Sequence, residues 1–172
     1  MWVSSPLEDR LMPIEMRIQG LMIDPITTMP LLVLRDPKTD AKLPIWVAVF
    51  EANAIATELE RVKTPRPMTH DLLKNVLTEL GGRLTRVIVT DLQDNIFYAM
   101  LEVETSGGQK AIDARPSDAI ALALRCGAPI FARKEVIEAA QSIDLTQGHQ
   151  DSERMREWLQ SLGEGELGKY EV

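Results

Sequence analysis

Six polar residues stand at the edges of apolar segments: Glu51, His70, Asp71, Asp113, Arg115 and Asp118, with Arg66 close by. They fall in four short stretches: Leu43-Pro44-Ile45 with Glu51-Ala52, Arg66-Pro67-Met68-Thr69-His70-Asp71, Asp113-Ala114-Arg115-Pro116, and Ser117-Asp118-Ala119. Carboxylates hold hard divalent cations such as Mg2+ or Mn2+. A metal so held activates water. An imidazole moves protons near neutral pH, and a guanidinium fork matches the oxygens of a phosphate. The set is chemically adequate for metal-assisted cleavage of a phosphodiester. In that reading Glu51, Asp113 and Asp118 are candidate metal ligands. His70 is the acid or base, with Asp71 orienting it and Glu51 a second candidate base. Arg66 and Arg115 contact phosphate.

Each residue also has a structural reading. Glu51 falls four residues before Ile55 and eight before Leu59, so it shares their helix face and would pair with an arginine across the core. Asp71, in the first turn of a helix, would compensate the dipole on the solvent side. His70 would be a hydrogen-bonded structural imidazole. Asp113 and Arg115, two apart in a strand, would share one sheet face and pair with each other. Asp118 opens an apolar helix and must be paired or hydrogen-bonded if buried.

The elements that would position these groups follow from hydrophobic period. Residues 16–24, 31–35 and 43–49 read as strands, the last with Pro44 near its start, where a missing N–H is tolerable. The period then changes, and Ala52, Ile55, Ala56, Leu59 and Val62 mark an amphipathic helix over 51–62. Thr69 is a plausible N-cap for a second helix, whose stripe is Leu72, Leu73, Val76, Leu77 and Leu80 and whose end is Gly81-Gly82. Residues 84–90 and 96–104 form a hairpin across 91–95, and 109–114 is a further strand. Ser117 or Asp118 caps a helix running to Cys126, with Gly127 after it, apolar almost all round and therefore buried. Residues 129–132 make a short strand and 134–141 another helix. Segregated strands and helices with a hairpin predict α+β, with a largely antiparallel or mixed sheet and three to four helices. Residues 1–15 are an N-terminal extension, 16–140 the domain, and 141–172 an acidic tail. Within the tail Met155, Trp158, Leu159 and Leu162 fall on one face of a possible helix. Trp46 and Cys126 read as core, while Trp2 and Trp158 lie in the extensions.

Composition narrows the alternatives. The chain has 172 residues and one cysteine, which excludes an intramolecular disulfide and a multi-cysteine zinc site. Neither GxGxxG nor GxxxxGK[ST] occurs, so nothing supports a nucleotide-cradling loop. No apolar run approaches the roughly 20 residues of a membrane span, and the first residues lack a secretory pattern; the expectation is a cytoplasmic protein. The net charge is −7, and it is uneven: residues 16–140 carry fifteen bases and sixteen acids, and residues 141–172 three bases and seven acids. No long basic run offers the counterion-releasing surface that holds nucleic acid tightly, so any nucleic acid is a weakly held substrate.

These segments, in this order, resemble the bifunctional nuclease family of bacteria and plants. The resemblance is carried by Leu43-Pro44-Ile45, Glu51-Ala52, Arg66-Pro67-Met68-Thr69-His70-Asp71-Leu72-Leu73 and Asp113-Ala114-Arg115-Pro116-Ser117-Asp118-Ala119-Ile120-Ala121-Leu122-Ala123. It spans about residues 16–140. It implies an α+β domain that associates as a homo-oligomer, with hydrolase activity on DNA and RNA (a DNase and RNase), and the six residues above as its site. The alternative is a non-enzymatic oligomeric binding or regulatory module. There the Arg-Pro-x-Asp segments are structural, with arginines neutralising buried acids.

Overall fold

The computed structural model describes residues 12–24 and 28–143. Seven strands make one mixed sheet: β1 (Ile14–Ile23), β2 (Pro30–Arg35), β3 (Lys42–Trp46), β4 (Arg83–Gln93), β5 (Ile96–Thr105), β6 (Gly108–Ala114) and β7 (Ile130–Ala132). Their order is β3-β2-β1-β7-β4-β5-β6. All pairings are antiparallel except β4 with β7. Four helices belong to the described residues: α1 (Val49–Leu59), α2 (Thr69–Glu79), α3 (Pro116–Cys126) and α4 (Lys134–Ile143). The fold class is therefore α+β, as the segregated pattern implies.

The strand pairs follow from local chemistry. The β4–β5 hairpin turns through Asp94 and Asn95, both at positive φ (49° and 62°). A two-residue turn needs that conformation, and these residue types tolerate it. The strands therefore run longer than the apolar pattern alone suggests, and the loop expected over 91–95 shrinks to two residues.

Helix α3 is the hub. Ala119, Ile120, Ala121, Leu122 and Ala123 are all buried. The helix packs on β4 and β5 with one side and takes α1 and α2 against the others. Its alanines are what let two further helices approach so closely. It stops at Gly127, whose φ of 63° is the left-handed cap that glycine adopts without strain.

Several expectations need correction. Arg115 is not a strand residue: β6 ends at Ala114, and Arg115 is the N-cap of α3, with Pro116 at the first helical position. Proline there costs no hydrogen bond, so the helix starts one residue before Ser117. Met68, not Thr69, precedes the first turn of α2. Trp46 is half-exposed on edge strand β3, its indole N–H donating to Asp24 at 3.3 Å. Cys126 is half-buried, and burial pushes its thiol pKa up, away from the nucleophilic thiolate. The largest departure is α2. Of the expected stripe, Leu72, Leu73, Val76 and, at the cap just past the helix, Leu80 face outward; Leu77 packs against the core, and the one fully buried residue of this helix is His70. The proposed tail helix, Trp2 and Trp158 lie outside the described residues.

Candidate functional site

Three helices begin beside one another. The acids of the sequence pattern occupy the same position in each, the third residue after the cap: Glu51 in α1, Asp71 in α2 and Asp118 in α3. That position faces the unsatisfied N–H groups of the first turn, where negative charge is favoured. Each acid accepts from an arginine, and both arginines belong to the start or the end of α3.

Arg115 bridges two of them. Its Nη2 donates to Glu51 Oε1 at 2.7 Å and its Nε donates to Asp118 Oδ2 at 2.7 Å. The other oxygen of Asp118 accepts from His70 Nε2 at 3.0 Å. Glu51, Arg115, Asp118 and His70 thus form one continuous chain across the starts of α1, α3 and α2. Its burial is graded: the His70 side chain is 9% exposed, Glu51 is mostly covered, and Arg115 is 64% exposed. Two polar atoms in the chain, Glu51 Oε2 and His70 Nδ1, are buried without a hydrogen-bond partner. An imidazole that donates from Nε2 presents Nδ1 as its lone-pair nitrogen.

Charge pairing shapes the titration. Burial alone would raise the Asp118 carboxyl, but Arg115 and His70 together outweigh it and hold it below the usual carboxylate range. The Arg115 guanidinium is held above its ordinary value by Asp118 first and Glu51 second. Asp71 is also depressed: burial pulls its pKa upward, while the Met68 N–H at 2.8 Å and the Arg125 guanidinium pull it further down.

Asp71 therefore does not orient His70. Its Oδ1 accepts from Arg125 Nε at 2.6 Å, and Asp118 is what fixes the imidazole. The sequence reading passed over Arg125, whose side chain is 2% exposed. Its other nitrogens donate to Ala121 O at 2.9 Å and Ala54 O at 3.1 Å, tying α2, α3 and α1 together. A signal was present. Arg125 is the one cation in an otherwise apolar helix, and a buried cation requires a partner.

Asp113 is not brought to this chain. It lies opposite Met100 on β6, while its neighbours Ile112 and Ala114 lie opposite Leu101 and Ala99. Leu101 and Ala99 share the core with α3, so Asp113 points to the other face of the sheet. Its expected partnership with Arg115 fails because the chain turns into a helix between them. Arg66 is exposed in the linker before α2, together with Arg61 and Lys63.

The three-carboxylate metal set of Glu51, Asp113 and Asp118 is thus not assembled. Among the described residues no group of three or more His, Cys, Asp or Glu side chains is placed to hold a metal ion. Between Glu51 and Asp118 stands a guanidinium, a donor to anions rather than a neighbour for a cation. The donor set therefore does not fit a metal. Also among the described residues, no helix is long and apolar enough to cross a membrane.

Comparison with known proteins agrees with the sequence resemblance. A family model described as the bifunctional nuclease domain matches residues 32–144. An uncharacterised protein of Mycobacterium tuberculosis (strain H37Rv) is 40% identical over 126 residues, covering 73% of this chain and 75% of the relative. Bifunctional nuclease 1 of Arabidopsis thaliana is 29% identical over 109 residues, 61% of this chain and 34% of the plant protein. Bifunctional nuclease 1 of Oryza sativa subsp. japonica is 27% identical over 101 residues, 57% of this chain and 30% of the rice protein. The plant matches thus cover about a third of those proteins.

Proposed function

The chain belongs to the bifunctional nuclease domain family, and from that membership and the geometry above we propose that it hydrolyses phosphodiester bonds in DNA and RNA in the cytoplasm. One observation carries the reading. Two buried polar atoms without partners, Glu51 Oε2 and His70 Nδ1, lie on the same hydrogen-bonded chain as an exposed guanidinium. Unpaired buried polar groups are costly and call for an explanation, a catalytic role among them.

In this mechanism the substrate phosphate takes the place of one carboxylate on Arg115, whose fork suits phosphate as well as it suits Glu51 or Asp118. Water attacks the phosphorus and the bond to the leaving oxygen breaks. The proton of the attacking water passes to the Glu51 carboxylate that the phosphate has released from Arg115, or to His70 Nδ1 once that release uncovers the imidazole, with Asp118 stabilising the imidazolium through Nε2. The leaving oxygen takes up a proton from solvent. Arg115 and Arg66 hold the phosphate oxygens, and Arg61 and Lys63 supply further positive charge along the linker. Asp71 acts through Arg125 to seat the start of α2.

The alternative, a binding or regulatory module, is favoured by one feature: Arg115 is already neutralised by two acids. Its exposure weighs against a purely structural part, because an arginine kept for stability is better used where Arg125 is, out of water. The purified chain is assayed on single-stranded DNA and RNA with Mg2+, with Mn2+ and with EDTA. Glu51→Gln and His70→Ala should each lower kcat/KM by about 100-fold or more. Wild-type rates in both variants, or activity that disappears on further purification, would overturn the assignment.

We also read the exposed face of α2 as the surface on which a second copy sits. Leu72, Leu73, Val76 and Leu80 line one side of that helix in contact with solvent, a contiguous apolar stripe of the kind that marks an interface. A self-complementary helix face closes into a two-fold dimer without further elements.

A further inference from the structure

Phe50 is 87% exposed, the most exposed of the large apolar side chains among the described residues. It is the second residue of α1 and immediately precedes Glu51, the carboxylate that holds Arg115. The packing of α1 does not use it: the residues this helix buries are Ala52, Ala54 and Ile55. Val49, next to it, is 68% exposed as well, so the start of α1 presents a bare apolar pair directly before Glu51 in the chain, and an exposed apolar patch is more telling than a single exposed side chain.

Resting on the nuclease reading, we propose that Phe50 is a stacking platform for an unpaired base beside the phosphate held by Arg115, so that the substrate is a single strand. First, a base within a duplex already has both faces covered by its neighbours, so a protruding phenyl ring finds a partner only on a strand whose bases are unstacked. Second, residues 16–140 carry fifteen bases against sixteen acids with no long basic run, so phosphate attraction alone gives little affinity; base stacking is an uncharged source of binding that does not depend on a basic surface. Third, the exposed cations on the segments that carry the polar chain are few. Arg115 stands at the start of α3, and Arg61, Lys63 and Arg66 lie in the exposed linker that leads to His70.

Anisotropy of fluorescently labelled strands tests this, using phosphorothioate linkages so that hydrolysis does not interfere. The probes are a short single strand of DNA, its RNA equivalent, an abasic strand of equal length and a matched duplex. Wild-type protein should prefer the strand with bases over both the abasic strand and the duplex. Phe50→Ala should weaken single-strand binding by about 5- to 100-fold, collapsing that preference, and Phe50→Trp should restore it. The proposal fails if Phe50→Ala keeps the preference, if duplex binds as well as single strand, or if wild type binds none of the probes. It also fails if Phe50→Ala changes the mass seen by light scattering with the preference intact, since the ring then belongs to a protein interface. Failure of the nuclease reading looks different: a base-dependent preference would be seen, with no cleavage of the natural strand.

Discussion

Replacing Arg125 by methionine isolates what ties the start of α2 to the bodies of α1 and α3. The substitution keeps a long unbranched side chain in place and removes a cation that is almost wholly buried. It breaks the 2.6 Å bond to Asp71 and the two bonds to Ala121 O and Ala54 O. Breaking a buried ion pair by removing one partner costs roughly 3–5 kcal/mol. Two features point to the lower end. Asp71 keeps the Met68 N–H and is 30% exposed, so water compensates part of its charge. The two carbonyls lie within helices and keep their main-chain donors. We expect a loss of about 3 kcal/mol in urea unfolding, equivalent to a fall of about 6–12 °C in Tm for a chain of this size. Asp71→Asn should cost at least as much, because it leaves the more deeply buried charge unpaired. The double variant should then be less damaging than the two losses combined, with a coupling of about 2 kcal/mol. Arg125→Met within about 1 kcal/mol of wild type, or strictly additive losses, would refute this account.

Two further outcomes follow from the same geometry. Asp71 and Asp118 both have folded-state pKa values below those of the unfolded chain, so their contribution is complete above about pH 4 and is lost as pH falls through the folded values. The urea midpoint should therefore hold from neutral pH down to about pH 5 and drop below about pH 4, and the drop should be shallower in Asp118→Asn; parallel acid losses in the two proteins would contradict the pairing. On the outer face of α2, Leu80→Glu should convert the associated form to monomer in light scattering while changing monomer stability by no more than about 0.5 kcal/mol, because the site is exposed; an unchanged mass would remove this face as the interface.

The sequence carried the fold further than it carried the site. Period and turn chemistry located the strands and helices because those signals are local: alternation in 96–104, the helical stripe of 51–62, Gly127 after Cys126. What they could not give was which side of a helix meets the protein. The stripe of α2 is periodic and apolar and yet, apart from Leu77, faces outward, since periodicity records amphipathicity and not what covers it. Arg115 shows a second limit. Its extended conformation before Pro116 was readable, but a helix N-cap is extended too, and only the path of the chain separates cap from strand. The pairing of Asp71 with Arg125 spans 54 positions, and the pairing of His70 with Asp118 spans 48. No local pattern specifies partners at such distance. A charge inside an apolar helix did announce that Arg125 needs a partner; it did not say which acid.

The shared position of the three acids explains why one arginine can serve two of them. A carboxylate at the third residue of a helix lies over the first turn, close to the axis and near the end. Two helices that start side by side therefore bring their acids to one point without any loop being shaped for it. Arg115, as the cap of the third helix, is delivered to the same point by the chain leaving β6. The arrangement is neutralised at rest and still addressable, because the guanidinium is the exposed member and the imidazole the buried one. In the proposed reaction an incoming phosphate would compete for Arg115 from the solvent side and, by displacing a carboxylate, would free a base beside the attacking water. Swapping the exposures would give a structural knot, which is what Arg125 forms with Asp71 at the other end of α3. The chain thus contains both uses of an arginine–carboxylate pair on one helix, and the difference between them is access to water.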